Sequence, residues 1–116
     1  MNSLWIWIVV GVLVGMAGFR LASAGRKGDM AKEKIKQGAT IVDVRTPAEY
    51  AAGHFEGATN IPVHELQGRL GELGDKRKPI VVYCASGMRS ASAAQILAAA
   101  GFTDVVNAGA LGNLKP

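Results

Sequence analysis

The chain has 116 residues, 49% of them hydrophobic, and 13 Lys or Arg against 9 Asp or Glu give a formal charge of +4. That length allows one domain, and mild, scattered basicity without an aromatic-interleaved stripe argues against nucleic-acid binding. A single cysteine excludes an internal disulfide and a cysteine-based metal cluster; His54 and His64 lack the spacing of a helical metal pair, so neither metal nor other cofactor is expected.

From Met1 to Phe19 no side chain is charged, and Leu4 to Val14 is almost wholly Leu, Ile, Val and Trp. A span needs about 20 mostly apolar residues. Residues 1–23 are therefore read as one transmembrane anchor, 24–28 as a linker and 29–116 as the folded domain. The six Lys and Arg between Arg20 and Lys36 all follow the apolar run. The positive-inside rule then places the domain in the cytoplasm, on a single-pass protein of the inner (cell) membrane. Ala22-Ser23-Ala24 looks like a signal cleavage site and supports the alternative, a periplasmic domain, although no basic side chain precedes the apolar run.

Asp29 is placed to N-cap a helix through Gln37, with Gly38 ending it. Thr40 to Val44 is a β-branched run, read as a buried strand. Thr46-Pro47-Ala48-Glu49 combines an N-cap threonine, a proline at the first helical position and a glutamate at the third, predicting a short helix to Ala52 that stops at Gly53. Ala58 to Val63 reads as another strand. Leu66, Leu70 and Leu73 at helical spacing predict one amphipathic helix over His64–Leu73. Ile80 to Tyr83 is the clearest strand. Ser90 to Ala100 is an alanine-rich helix closed by Gly101, and Asp104 to Val106 is the last strand. Strands alternating with helices over short loops imply an α/β fold with a mainly parallel sheet covered by helices on both faces. Ligands bind such sheets beyond the carboxyl ends of the strands, where Cys84 lies.

The loop Cys84-Ala85-Ser86-Gly87-Met88-Arg89 joins a strand to a helix start. Its small side chains let the backbone curl, so that several N–H groups point at one spot and cradle an anion. Gly87 supplies a positive φ where the turn needs it. Arg89 adds a permanent charge and a planar donor fork suited to an oxyanion. A cysteine held there is expected to have a lowered pKa and to react as the thiolate. The blander reading is a buried cysteine before an ordinary helix.

Three blocks resemble the signatures of the rhodanese family, in the family's order and spacing: Asp43-Val44-Arg45; Gly53-His54-Phe55-Glu56-Gly57-Ala58 with Asn60-Ile61-Pro62; and Cys84-x-x-Gly87-x-Arg89-Ser90. The resemblance covers about Ile35 to Ala110, and Asn107 to Leu111 is similar to the tail of the small phage-shock rhodaneses of the bacterial envelope. It implies a small rhodanese-like domain and a sulfurtransferase with Cys84 as persulfide carrier. A sulfane sulfur would pass from thiosulfate or a persulfide to cyanide or a thiol. Ala85, Ser86, Gly87, Met88, Arg89 and Ser90 would bind the substrate, with Asp43 and Arg45 in support. The partners implied are thus a thiosulfate-like anion, a thiol or cyanide acceptor, and the membrane through the N-terminal helix. Asp43 is expected to accept loop amides or pair with an arginine, Arg45 to pair with Glu49 or Glu56, and His54 to be a structural hydrogen-bonder; Tyr50 and Leu66 are expected in the core. Cys84 to Arg89 is Cys-x4-Arg, one residue shorter than the Cys-x5-Arg of related phosphatases. The alternative function is a non-catalytic rhodanese module that binds a partner or senses sulfur or redox state. The Gly-Gly-x-x-x-Trp block and longer terminal helix of larger rhodaneses are missing.

Overall fold

The computed structural model describes residues 25–115. The anchor read over residues 1–23 lies outside them, and no helix among the described residues is long and apolar enough to cross a membrane.

Helix α1 covers residues 25–36, followed by β1 (Thr40–Asp43), α2 (Pro47–Ala52), β2 (Thr59–Asn60), α3 (Val63–Leu66), β3 (Ile80–Cys84), α4 (Met88–Ala99) and β4 (Val105–Ala110). Single 3₁₀ turns occupy Leu70–Leu73 and Leu111–Leu114. The four strands form one parallel sheet in the order β2-β1-β3-β4. All five residues of β3 are buried, as a central parallel strand covered on both faces requires.

Alternation along β3 assigns the two faces. Ile80, Val82 and Cys84 join Val42, Val44, Ile61, Leu66, Ala93 and Leu97, the core beneath α3 and α4. Val81 and Tyr83 join Ala31, Ile41, Val106, Ala108 and Leu114, the core beneath α1 and the C-terminal turn. Cys84 and Tyr83 therefore point to opposite sides of the sheet at the same carboxyl edge.

Several boundaries differ from expectation. Residues 25–28, read as linker, already belong to α1, so Asp29 does not cap it. Gly28 is buried, and a Cβ there would come within 2.8 Å of the Asn113 carbonyl oxygen, so this glycine permits α1 to pack on the C-terminal turn. The single helix expected over His64–Leu73 is two short pieces. Gln67–Arg69 interrupts them, and Gly68, which favours helix least in this stretch, lies in the break. The strand expected over Ala58–Val63 pairs only at Thr59–Asn60, because Pro62 cannot donate to a ladder and instead precedes α3. Helix α4 starts at Met88 rather than Ser90, and β4 runs on to Ala110. The predicted stops hold: Gly38, Gly53 and Gly101 all take positive φ.

Candidate active site

β3 ends at Cys84 and α4 begins at Met88, with Gly87 between them in the left-handed region at φ +102°. This turn brings the chain back over its own cysteine. The Gly87 amide donates to Cys84 Sγ at 2.9 Å and the Ser90 amide at 3.4 Å, while Ser90 Oγ lies 3.5 Å away. Ser90 is itself fixed by its hydroxyl, 3.1 Å from the Gly87 carbonyl and 3.5 Å from that of Gly109. The sulfur is fully buried at the N-terminus of a 12-residue helix, where backbone dipoles favour negative charge. Burial pushes the Cys84 thiol up, but hydrogen bonding with the Ser90 hydroxyl and from the Ser90, Gly87 and Ser86 amides outweighs it. The net pKa is lowered.

The sequence-predicted loop residues divide into two groups. Ser86, Gly87 and Ser90 converge on the sulfur. Among the described residues, Ala85, Met88 and Arg89 make no hydrogen bond to it. Met88 is 79% exposed and points away from the core. Arg89, expected to present its fork to a donor, instead holds Glu49 in a bidentate pair, Nη1 to Oε1 at 2.7 Å and Nη2 to Oε2 at 3.0 Å.

Glu49 is thus the partner of Arg89 and not of Arg45. Arg45 turns to Asp43: its backbone amide, Nε and Nη2 all donate to that carboxylate, at 2.9, 3.0 and 2.6 Å, and Nη2 also donates to the Gly53 carbonyl at 2.7 Å. Both options open for Asp43 are realised, since it accepts the Arg45 loop amide and pairs with the Arg45 guanidinium. The Tyr83 hydroxyl donates to Asp43 Oδ2 at 2.7 Å and accepts from the Phe55 amide at 3.0 Å. Burial, with the Asp43 hydrogen bond assisting, pushes the Tyr83 hydroxyl up to about 12, so it remains a donor at neutral pH. Asn60 Nδ2 donates to the Asp43 and Arg45 carbonyls, both at 3.0 Å. This buried network joins β1, β2, β3 and the Gly53–Phe55 segment next to the reactive loop. His54 stacks on Tyr50 with ring centroids 3.7 Å apart and has Nδ1 2.9 Å from the Tyr50 carbonyl, a structural place. Leu66 is core as expected, whereas Tyr50 is only part-buried and packs at the edge of the core on the opposite face of the sheet, its hydroxyl donating to the Ala58 carbonyl.

Sequence reasoning assigned no role at the site to Glu49, Tyr83 or Gly109. Glu49 was read from the sequence as a helix-capping residue and as one of two candidate partners of Arg45, not of Arg89. Gly109, at φ +78°, follows a bulge in β4 and sits directly against Gly87.

A cysteine at the carboxyl edge of a parallel sheet, with loop amides and a helix N-terminus aimed at its sulfur, defines an α/β domain that handles anionic sulfur. The chain belongs to the Rhodanese-like domain family, whose match spans residues 28–108. It is 42% identical over 71 residues to the thiosulfate sulfurtransferase PspE of Escherichia coli, covering 60% of this chain and 68% of that one. A solved rhodanese with anions from Escherichia coli is 39% identical, with a TM-score of 0.62 over 65% of this chain and 89% of that one. The human single-domain sulfurtransferase TSTD1 is 31% identical, with a TM-score of 0.61 over 68% and 83%. The chain spans 62% to 70% of the length of the curated relatives it matches.

Proposed function

We propose that this protein is a sulfurtransferase that moves a sulfane sulfur from thiosulfate or a persulfide donor, through a persulfide on Cys84, to cyanide or a thiol acceptor. One observation carries the reading: a buried Sγ already receives the Gly87 and Ser90 amides at the head of α4. Donors fixed in advance stabilise an anionic sulfur without reorganising. The name of the relative PspE supports thiosulfate as donor.

In the first half-reaction the Cys84 thiolate attacks the outer sulfur of thiosulfate. The S–S bond of the donor breaks, sulfite leaves with the bonding electron pair, and Cys84 carries a persulfide anion. In the second, cyanide attacks the terminal sulfur and leaves as thiocyanate, returning the thiolate. Charge balances in both steps and no proton moves, so His54 is not required as a base. The backbone from Ala85 to Ser90 binds the donor, and Asp43 and Arg45 support the loop from behind.

Adding thiosulfate should raise the protein mass by one sulfur atom, cyanide should remove it, and Cys84→Ser should not take it up. An intact fold with no adduct on Cys84 rejects transfer and favours a non-catalytic binding module. The anchor over residues 1–23 and a cytoplasmic domain are likewise proposals, supported by the apolar run and the basic residues that follow it.

A further inference from the structure

Two arginines flank the reactive loop, and each is matched by a carboxylate. Arg45 is bound by Asp43 from behind the sheet edge. Arg89 is bound by Glu49, 40 residues earlier in the chain, through both guanidinium nitrogens. Two positive and two negative charges cancel, so arginine side chains give the site no net positive charge, and attraction for an anion is left to backbone amides.

Glu49 is held firmly in that place. It is the third residue of α2, and its Oε1 also accepts from the Thr46 amide at 3.1 Å and the Thr46 hydroxyl at 3.0 Å. The carboxylate therefore clips the start of α4 to the start of α2. About a third of each side chain is exposed, 34% for Arg89 and 35% for Glu49, so the pair lies at the solvent side of the loop.

We infer that Glu49 is a specificity-determining positioning residue: by neutralising Arg89 it lowers the preference of the Cys84 site for dianionic over monoanionic sulfur donors. This rests on the sulfur-transfer reading above. A dianion gains more from each unit of positive charge than a monoanion does, and a neutral rim forgoes that gain. The site is thereby open to donors of lower charge, such as thiosulfonates and small-molecule persulfides.

Thiosulfate and methanethiosulfonate make the comparison clean. Both offer the same sulfane sulfur on an SO₂ centre, but a methyl group replaces one anionic oxygen, so the charges are −2 and −1. Each loads Cys84 by the same displacement, releasing sulfite or methanesulfinate. The readout is the ratio of kcat/KM for thiosulfate to that for methanethiosulfonate, at low ionic strength where a partly exposed charge is least screened.

Glu49→Gln keeps an amide that can serve the cap but removes the charge. It should raise the ratio about two- to five-fold, mainly through a lower KM for thiosulfate. Adding Arg89→Gln restores neutrality and should return the ratio toward the starting value. Thr46→Val breaks the cap but leaves the charge, and should leave the ratio where it was. Loop distortion would depress both donors together and not move the ratio. A ratio that stays constant or falls in a folded Glu49→Gln protein overturns the inference alone. Failure of both donors to load wild-type Cys84 overturns the sulfur-transfer reading, and the inference with it.

Discussion

At the scale of single residues, the chemistry depends on how one thiol is surrounded. Cys84 is fully buried, which alone would hold its proton on. Hydrogen bonding with the Ser90 hydroxyl and from the Ser90, Gly87 and Ser86 amides reverses that, so the pKa moves below its ordinary value of 9.0. The rate of sulfur loading should therefore fall as pH drops through a midpoint below 9.0, matched by the midpoint of thiolate absorbance. A midpoint at or above 9.0 would mean that burial prevails. Glu49 does not contribute to that limb: the Arg89 guanidinium, then the Thr46 amide, hold its carboxyl at about 2. Its stabilising effect is complete above the ordinary 4.5 and is lost only as pH falls from there toward 2. This scale was partly legible in the sequence. Cys84, Gly87 and Ser90 are neighbours in the chain, and local geometry fixes them. The Arg89–Glu49 and Asp43–Tyr83 contacts each join residues 40 apart, and no local pattern announces a pairing across that distance.

At the scale of elements, the reactive loop is held from the side by β4. The ladder shifts register between Val82 and Tyr83, so that Tyr83 pairs with Gly109 and Ala108 is the extra residue. Such a bulge bends its strand locally. Asn107 Oδ1 accepts from the Gly109 amide at 2.8 Å, and the Gly109 carbonyl lies 3.5 Å from Ser90 Oγ. A Cβ on Gly87 would lie 3.5 Å from the Gly109 Cα, so two glycines meet where the loop crosses the strand. Gly109→Ala would force a side chain into φ +78° and bring its Cβ to 3.0 Å from Asn113 Nδ2. It should cost about 1–3 kcal/mol in chemical denaturation and slow sulfur loading of Cys84. A variant as stable and fast as the parent would show that the bulge does not position the loop. The strand predicted here ended at Val106. The Asn-Ala-Gly-Ala that follows reads as a turn by composition, and only pairing with buried β3 keeps it in the sheet. The same tertiary override split the expected His64–Leu73 helix. Three leucines set its periodicity, but Gly68 interrupts it, and a helix this short is fixed by packing rather than propensity.

At the scale of the whole molecule, α/β alternation was readable because β1 and β3 are short runs rich in Val and Ile and the helices between strands end at Gly38, Gly53 and Gly101. What precedes residue 25 lies outside the described residues, and there charge is the guide. Six Lys or Arg stand between Arg20 and Lys36, and none precedes the apolar run of Leu4 to Val14. Carrying that cluster through a bilayer costs more than carrying the short uncharged N-terminus. We therefore propose one uncleaved span with Cys84 in the cytoplasm, where glutathione and thioredoxin keep thiols reduced. Since Cys84 is the only cysteine, a membrane-impermeant thiol reagent applied to intact cells reports on it alone. Because it is also buried, the reagent must first be shown to label the native protein in opened cells. Protection before lysis and labelling after it is the expected result. Labelling of intact cells would put the domain on the outer side, and a mature protein beginning at Gly25 would show cleavage after Ala24.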